Sequence, residues 1–259
     1  LSLGNAIQVP SMVELLNMSD VISLHVPETA STKDLIGAEQ LRMMRDEFQR
    51  FLLEYQFGLR EVETKLGILR DEFLLMHEYN PIEHVSSRVK TADSIVDKLG
   101  RKGIEPTFDA IRAGITDIAG IRVTTSFTKD AYRLFHLLTA QDDITVREVK
   151  DYIAEPKSNG YKSLHAIVEV PVFLSTGKVE VAVEVQFRTI AMDFWASLEH
   201  KMRYKKNIPA EQMKYLQDEL YDCAEQSAAL DKRMQSIRNL IAENKEEEEE
   251  TKGFFLPLF

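Results

Sequence analysis

Cysteine is nearly absent. Cys223 stands alone in 259 residues, which excludes an internal disulfide framework and fits a reducing compartment, the cytoplasm. Long apolar runs are missing too: no stretch is long enough to span a membrane, and no secretory signal is present. Positive charge is in deficit. The 32 Lys and Arg face 42 Asp and Glu, a formal net charge of -10, which excludes a general binder of polyanions while leaving room for local basic patches. Part of that acidity is the run Glu246 to Glu250, which reads as a solvated, disordered tail. No G-x-G-x-x-G occurs, so the phosphate-cradling turn of a dinucleotide-binding domain is missing. The chain opens on Leu1 rather than Met, so its recorded start is not taken as the native one. The length suits one substantial domain with additions.

The most informative stretch runs from Lys157 to Arg188. After a loop, His165, Ile167 and Glu169 alternate with Ala166, Val168 and Val170. Beyond a turn at Ser175-Thr176-Gly177, Val181, Val183 and Val185 alternate with Ala182, Glu184 and Gln186. A period of two predicts a half-buried hairpin. Glu184, Gln186 and Arg188 then share one face. A carboxylate, an amide and a guanidinium in register suit a charged ligand, although a solvated sheet face explains an isolated E-x-Q-x-R equally well. The preceding loop, Ser158-Asn159-Gly160, is a flexible turn flanked by Lys157 and Lys162 and followed by Tyr161 and His165. An aromatic ring beside cations offers a stacking face and charge neutralisation, as a purine nucleotide requires.

Elsewhere the pattern is mostly helical. Phe48, Phe51, Leu52, Tyr55, Leu59, Val62, Leu66, Leu69 and Phe73 predict a long amphipathic core helix from Asp46 to about Tyr79, closed by Asn80-Pro81. Arg88, Lys90, Lys98, Arg101 and Lys102 read as a basic helix, with Ile95 and Leu99 on its buried side; such a face is commonly just solvated. A strand is expected from Gly120 to Ser126, a helix from Lys129 to Ala140 and a strand from Asp143 to Tyr152. Helices should follow from Ile190 to Tyr204, with Trp195 and Leu198 packed, and from Ala210 to Ala242, with an apolar stripe and room for a break.

NGYKSLH, EVQFRT and AMDFWASLEHK, in that order, closely resemble the guanosine-side motifs of the RelA/SpoT alarmone synthetases, and the organisation is similar to the stand-alone small members. The resemblance implies a mixed α/β fold of the α+β kind, a nucleotidyltransferase-like sheet flanked by helices, over residues 45–208, with a helical region over 209–245 and the tail over 246–259. It implies a (p)ppGpp synthetase that transfers pyrophosphate from ATP to the 3′-hydroxyl of GDP or GTP and releases AMP. Asp117 and Glu184 would hold Mg²⁺, with Glu184 as candidate base. Arg88, Lys98 and Arg122 would bind ATP. Tyr161 would stack on guanine, and Lys150, Lys157 and His165 would contact phosphates or ribose. Gln186 and Arg188 would orient substrate. Asp193, where many relatives carry Asn, is read either as a guanine-edge acceptor or as an exposed helix carboxylate. Some members are tetramers, so a homo-oligomer is expected. No His-Asp dipeptide occurs, so the hydrolase activity of the longer relatives is not expected. Transfer to a tRNA 3′ end, and a non-catalytic nucleotide or RNA sensor, are the competing functions. Residues 1–44 instead resemble an internal piece of D-3-phosphoglycerate dehydrogenase, read as helix (Ser11 to Asn17), strand (Val21 to Val26), loop and short helix. That family's catalytic Arg, Glu and His segments are missing, so this stretch is read as a joined fragment without activity.

Overall fold

The computed structural model describes residues 9, 11–18, 25, 27, 29, 36–77, 79–203 and 210–253. A short helix, α1 (Met12–Met18), comes first, with Leu16 buried. Of the strand expected over Val21 to Val26, only His25 is among the described residues. Then α2 (Ala38–Met76) runs as one helix of 39 residues. Phe51, Tyr55, Leu59, Val62, Leu66, Leu69 and Phe73 recur every three or four positions on it and are all buried. The helix starts at Ala38 rather than Asp46. The added turns hold strong helix formers such as Ala38, Glu39, Gln40, Leu41 and Arg42, with no Gly or Pro to stop them. It therefore crosses the expected boundary at residue 44 without a break.

Among the described residues, five strands form one mixed sheet: β1 (Ile82–Val89), β2 (Ala119–Thr125), β3 (Thr145–Asp151), β4 (Leu164–Leu174) and β5 (Gly177–Thr189), in the order β1-β2-β5-β4-β3. Only β2 and β5 pair in parallel; the other pairs are antiparallel. The predicted hairpin is β4–β5. β1 corrects the expectation of a basic helix reaching back to Arg88. Val85 and Val89 pack on the core while Ser86 and Arg88 alternate with them, a period of two that puts Arg88 on a strand and Lys90 just beyond it. The basic helix is shorter, α3 (Ala92–Lys102), begun by the Thr91 hydroxyl accepting from the Ser94 N–H and ended by Gly103 at φ 63°. A helix absent from the sequence reading, α4 (Phe108–Gly114), is capped by Thr107.

One face of the sheet carries the core. Ala119, Ile121 and Val123, Ala166, Val168 and Val170, and Val183, Val185 and Phe187 are buried there beneath α2 and α5 (Thr128–Thr139). Phe135 of α5 meets Phe187 edge to face at 6.1 Å. Gly58 lets α2 lie close to the sheet, since a Cβ there would stand 2.6 Å from Val181 Cγ1. Two helices follow β5, α6 (Ile190–Arg203) and α7 (Ala210–Gly253). Trp195 of α6 is buried as expected, but Leu198 is 40 % exposed and shares the outer side with Phe194. α7 is unbroken and continues through the acidic run Glu246 to Glu250, expected to be disordered; glutamate is a good helix former. Leu230, Met234 and Ile237 of its apolar stripe are exposed. Among the described residues, no helix is long and apolar enough to cross a membrane.

Candidate active site

Strand register assembles the site on the sheet face opposite α2 and α5. Gln186 pairs with Arg122 of β2 on one side and with His165 of β4 on the other, and His165 pairs with Lys150 of β3. One ladder step away, Arg88, Gly120, Glu184, Ile167 and Glu148 make a second row across all five strands. Residues two apart on a strand share a face, so residues far apart in the chain meet here. Gly120 has no side chain, and a cleft of about 240 Å³ opens over it, lined by Ser86, Arg88, Asp117, Arg122, Glu184 and Gln186. A second cleft, about 120 Å³, is lined by Lys98, Lys102, Asp117, Lys150, His165 and Glu184. Asp117 and Glu184 border both.

Asp117 lies on the turn before β2, so the two carboxylates come from a turn and a strand. Lys98 Nζ is 2.7 Å from Asp117 Oδ1 and Lys90 Nζ is 3.1 Å from Oδ2. Burial pushes the Asp117 carboxyl up, but the two lysines outweigh it and hold it below the usual carboxylate range. Burial likewise acts to raise Glu184. The contact with His165 and the Gln186 amide more than offset it, leaving Glu184 also below its ordinary value; Asp117 is near enough to oppose them. Two hard oxygen donors facing shared clefts fit Mg²⁺, which takes one or two protein carboxylates and fills its other positions with water and phosphate oxygens.

The loop before β4 turns as its sequence suggests. Gly160 has φ 85°, its N–H donates to the Lys157 carbonyl at 2.8 Å, and Asn159 Oδ1 accepts from the Tyr161 N–H. Lys157 Nζ stands 4.5 Å from the Tyr152 ring centre and 5.0 Å from that of Tyr161. Tyr161, Tyr152 and His165 meet edge to face at 5.3–6.0 Å. From the other side α7 braces this loop. Lys162 pairs with Glu225 at 3.0 Å, and α7 also holds α6 and the end of β5, where Trp195 Nε1 donates to the Leu220 carbonyl and Thr189 Oγ1 donates to Asp231 Oδ2 at 2.5 Å. Asp193 Oδ1 accepts from Arg188 Nη1 and forms an ion pair with Arg122 Nη1, each at 3.1 Å, so it joins the two guanidinium groups.

All twelve residues singled out from the sequence thus lie on or beside one sheet face. Lys90 and Tyr152 complete the group and were not singled out as site residues. The alternation Ser86, Arg88, Lys90 against Val85 and Val89 was the available signal for the first. For Tyr152 it was an aromatic residue adjoining the loop.

A mixed sheet with two carboxylates between a guanidinium-lined cleft and a lysine-lined one defines a nucleotide-dependent group-transfer site. Comparison with known proteins agrees. Residues 87–209 match the model for the region found in RelA / SpoT proteins. The GTP pyrophosphokinase YwaC of Bacillus subtilis is 46 % identical over 205 residues, 78 % of this chain and 96 % of that protein. The crystal structure of small alarmone synthetase 1 from Bacillus subtilis bound to its product pppGpp superposes with a TM-score of 0.70 at 36 % identity, covering 76 % of this chain and 99 % of that one. The chain belongs to the RelA/SpoT family and has the fold of the small alarmone synthetases. Residues 4–49 match a second model, the NAD binding domain of D-isomer specific 2-hydroxyacid dehydrogenases. There the chain is 58 % identical over 45 residues to D-3-phosphoglycerate dehydrogenase of Escherichia coli, 11 % of that protein.

Proposed function

We propose that this chain is a GTP pyrophosphokinase, a (p)ppGpp synthetase that uses ATP and GDP or GTP. The observation that carries the reading is the place of Asp117 and Glu184 on both clefts, between Arg88 and Arg122 on one side and Lys98, Lys102 and Lys150 on the other. Arg88 and Arg122 hold ATP, their flat guanidinium groups suited to an adenine ring. Guanine stacks on Tyr161, and Lys157, beside the two tyrosine rings, contacts phosphate. The guanosine 3′-oxygen bonds to the β-phosphorus of ATP, the bond from that phosphorus to the α,β-bridging oxygen breaks, and AMP departs with the electron pair. The 3′-hydroxyl proton passes to Glu184, which is ionised at neutral pH and faces both clefts. Positioning and cationic side chains supply most of the rate in such a transfer. Asp117 and Glu184 would hold Mg²⁺, which when bound offsets charge on the transferring group. Exposed Leu230, Met234 and Ile237 on α7 support a homo-oligomer as the working form.

The test is incubation with ATP labelled at the β-phosphorus and, separately, GDP, GTP and tRNA. Label on the guanosine nucleotide with matching AMP release is expected. Label on tRNA would move the acceptor to RNA, and no transfer at all would leave a nucleotide-binding module.

A further inference from the structure

Both ring nitrogens of His165 are engaged within the protein. Nε2 lies 2.8 Å from the Tyr161 hydroxyl and Nδ1 lies 3.2 Å from Glu184 Oε1. The path continues on both sides. Arg188 Nη2 donates to the Tyr161 oxygen at 2.6 Å and to Gln186 Oε1 at 3.0 Å, and Gln186 Nε2 donates to Glu184 Oε2 at 2.7 Å. Tyr161, His165, Glu184, Gln186 and Arg188 therefore form a closed ring of hydrogen bonds. One assignment gives every bond of the ring a donor and an acceptor, while Arg188 Nε, outside the ring, is buried without a partner. Arg188 is a donor only and ionised Glu184 an acceptor only, so Gln186 is fixed in orientation and His165 carries its proton on Nδ1. The Tyr161 hydroxyl then accepts from Arg188 and donates to His165 Nε2.

We infer that the Tyr161 hydroxyl and His165 are positioning groups for Glu184, so that the side chain on which guanine stacks also orients the carboxylate that takes the 3′-hydroxyl proton. This rests on the synthetase reading and deepens it. Tyr161 then has two separable parts. Its ring face is a binding platform, while its oxygen fixes the imidazole tautomer that presents an N–H to Glu184 Oε1. His165 and Arg188 are 9 % and 5 % exposed, so water competes poorly for these bonds and a broken link leaves a buried group unmatched.

The experiment is a double-mutant cycle in the full chain, with kcat and KM for GDP measured at saturating ATP. Tyr161→Phe keeps the ring and removes the oxygen. It is expected to lower kcat about tenfold, the scale of one buried hydrogen bond, with KM for GDP within about twofold. His165→Asn keeps a donor near the Nδ1 position but cannot reach Tyr161. In that background Tyr161→Phe is expected to change kcat by less than about twofold, because the link is already broken. Wild-type kcat in Tyr161→Phe, a change confined to KM, or two effects that simply multiply would overturn the inference. Wild-type protein that makes no product with GDP would remove the synthetase reading itself, a result distinct from an active wild type with an unchanged Tyr161→Phe.

Discussion

Asp117 carries two ammonium groups on one carboxylate, with Lys98 at 2.7 Å and Lys90 at 3.1 Å. Its pKa is lowered in the folded protein. A depressed carboxyl favours folding at every pH above its unfolded value, about 4, and that contribution is lost as pH falls through the folded value. The melting temperature of wild-type protein should accordingly fall more on acidification through that range than that of Asp117→Asn, which lacks the titrating group. Equal falls would mean that the lysines do not hold this carboxylate in solution. Tyr161 gives a prediction of a different kind. Tyr161→Ala should weaken GDP binding by about 1–3 kcal/mol if stacking dominates, with ATP binding changed much less. Equal weakening of both nucleotides in a binding titration would deny the ring a guanine-specific role.

At the scale of elements, α7 against the guanosine-side loop is the contact that matters. A Cβ on Gly160 would stand 2.5 Å from that of Ala224, at a backbone φ of 85° that disfavours any side chain. Gly160→Ala should raise KM for GDP while leaving ATP binding nearly unchanged. Ala224→Gly added to it should restore part of the loss, because it relieves the clash but not the dihedral strain; no recovery would show that α7 does not set the loop. The amino-terminal segment makes the opposite case. Deleting Leu1 to Met44 should leave the constants for ATP and GDP essentially unchanged, since Phe51 through Phe73 supply the buried face of α2. Loss of synthesis in a folded truncation would make that segment part of the enzyme. The hairpin was legible in the sequence because strict alternation separates Val181, Val183 and Val185 from Glu184 and Gln186. β1 was not, because Ser86-Ser87-Arg88 offers little apolar contrast and the basic residues beyond it have helical spacing. The start of α2 was misplaced because the change in resemblance near residue 44 has no physical counterpart in the helix.

Across the whole molecule, chemistry-bearing residues from all five strands reach one face because β2 and β5 lie side by side in parallel while the remaining pairs reverse. Residue types and alternation pointed to that face. The mutual contacts did not follow from them: Lys90 on Asp117, Asp193 between two arginines and the ring through His165 depend on cross-strand register, which a single sequence leaves open. The central claim is that this face binds a guanosine nucleotide and that Glu184 then promotes transfer to it. The most direct measurement is AMP release from ATP, with and without GDP, for wild type and Glu184→Gln, alongside a GDP binding titration of each. The account predicts AMP release in wild type only when GDP is present, and a rate lowered roughly 10²-fold or more in Glu184→Gln with GDP still bound. AMP release independent of GDP, or near-wild-type turnover in Glu184→Gln, would contradict it.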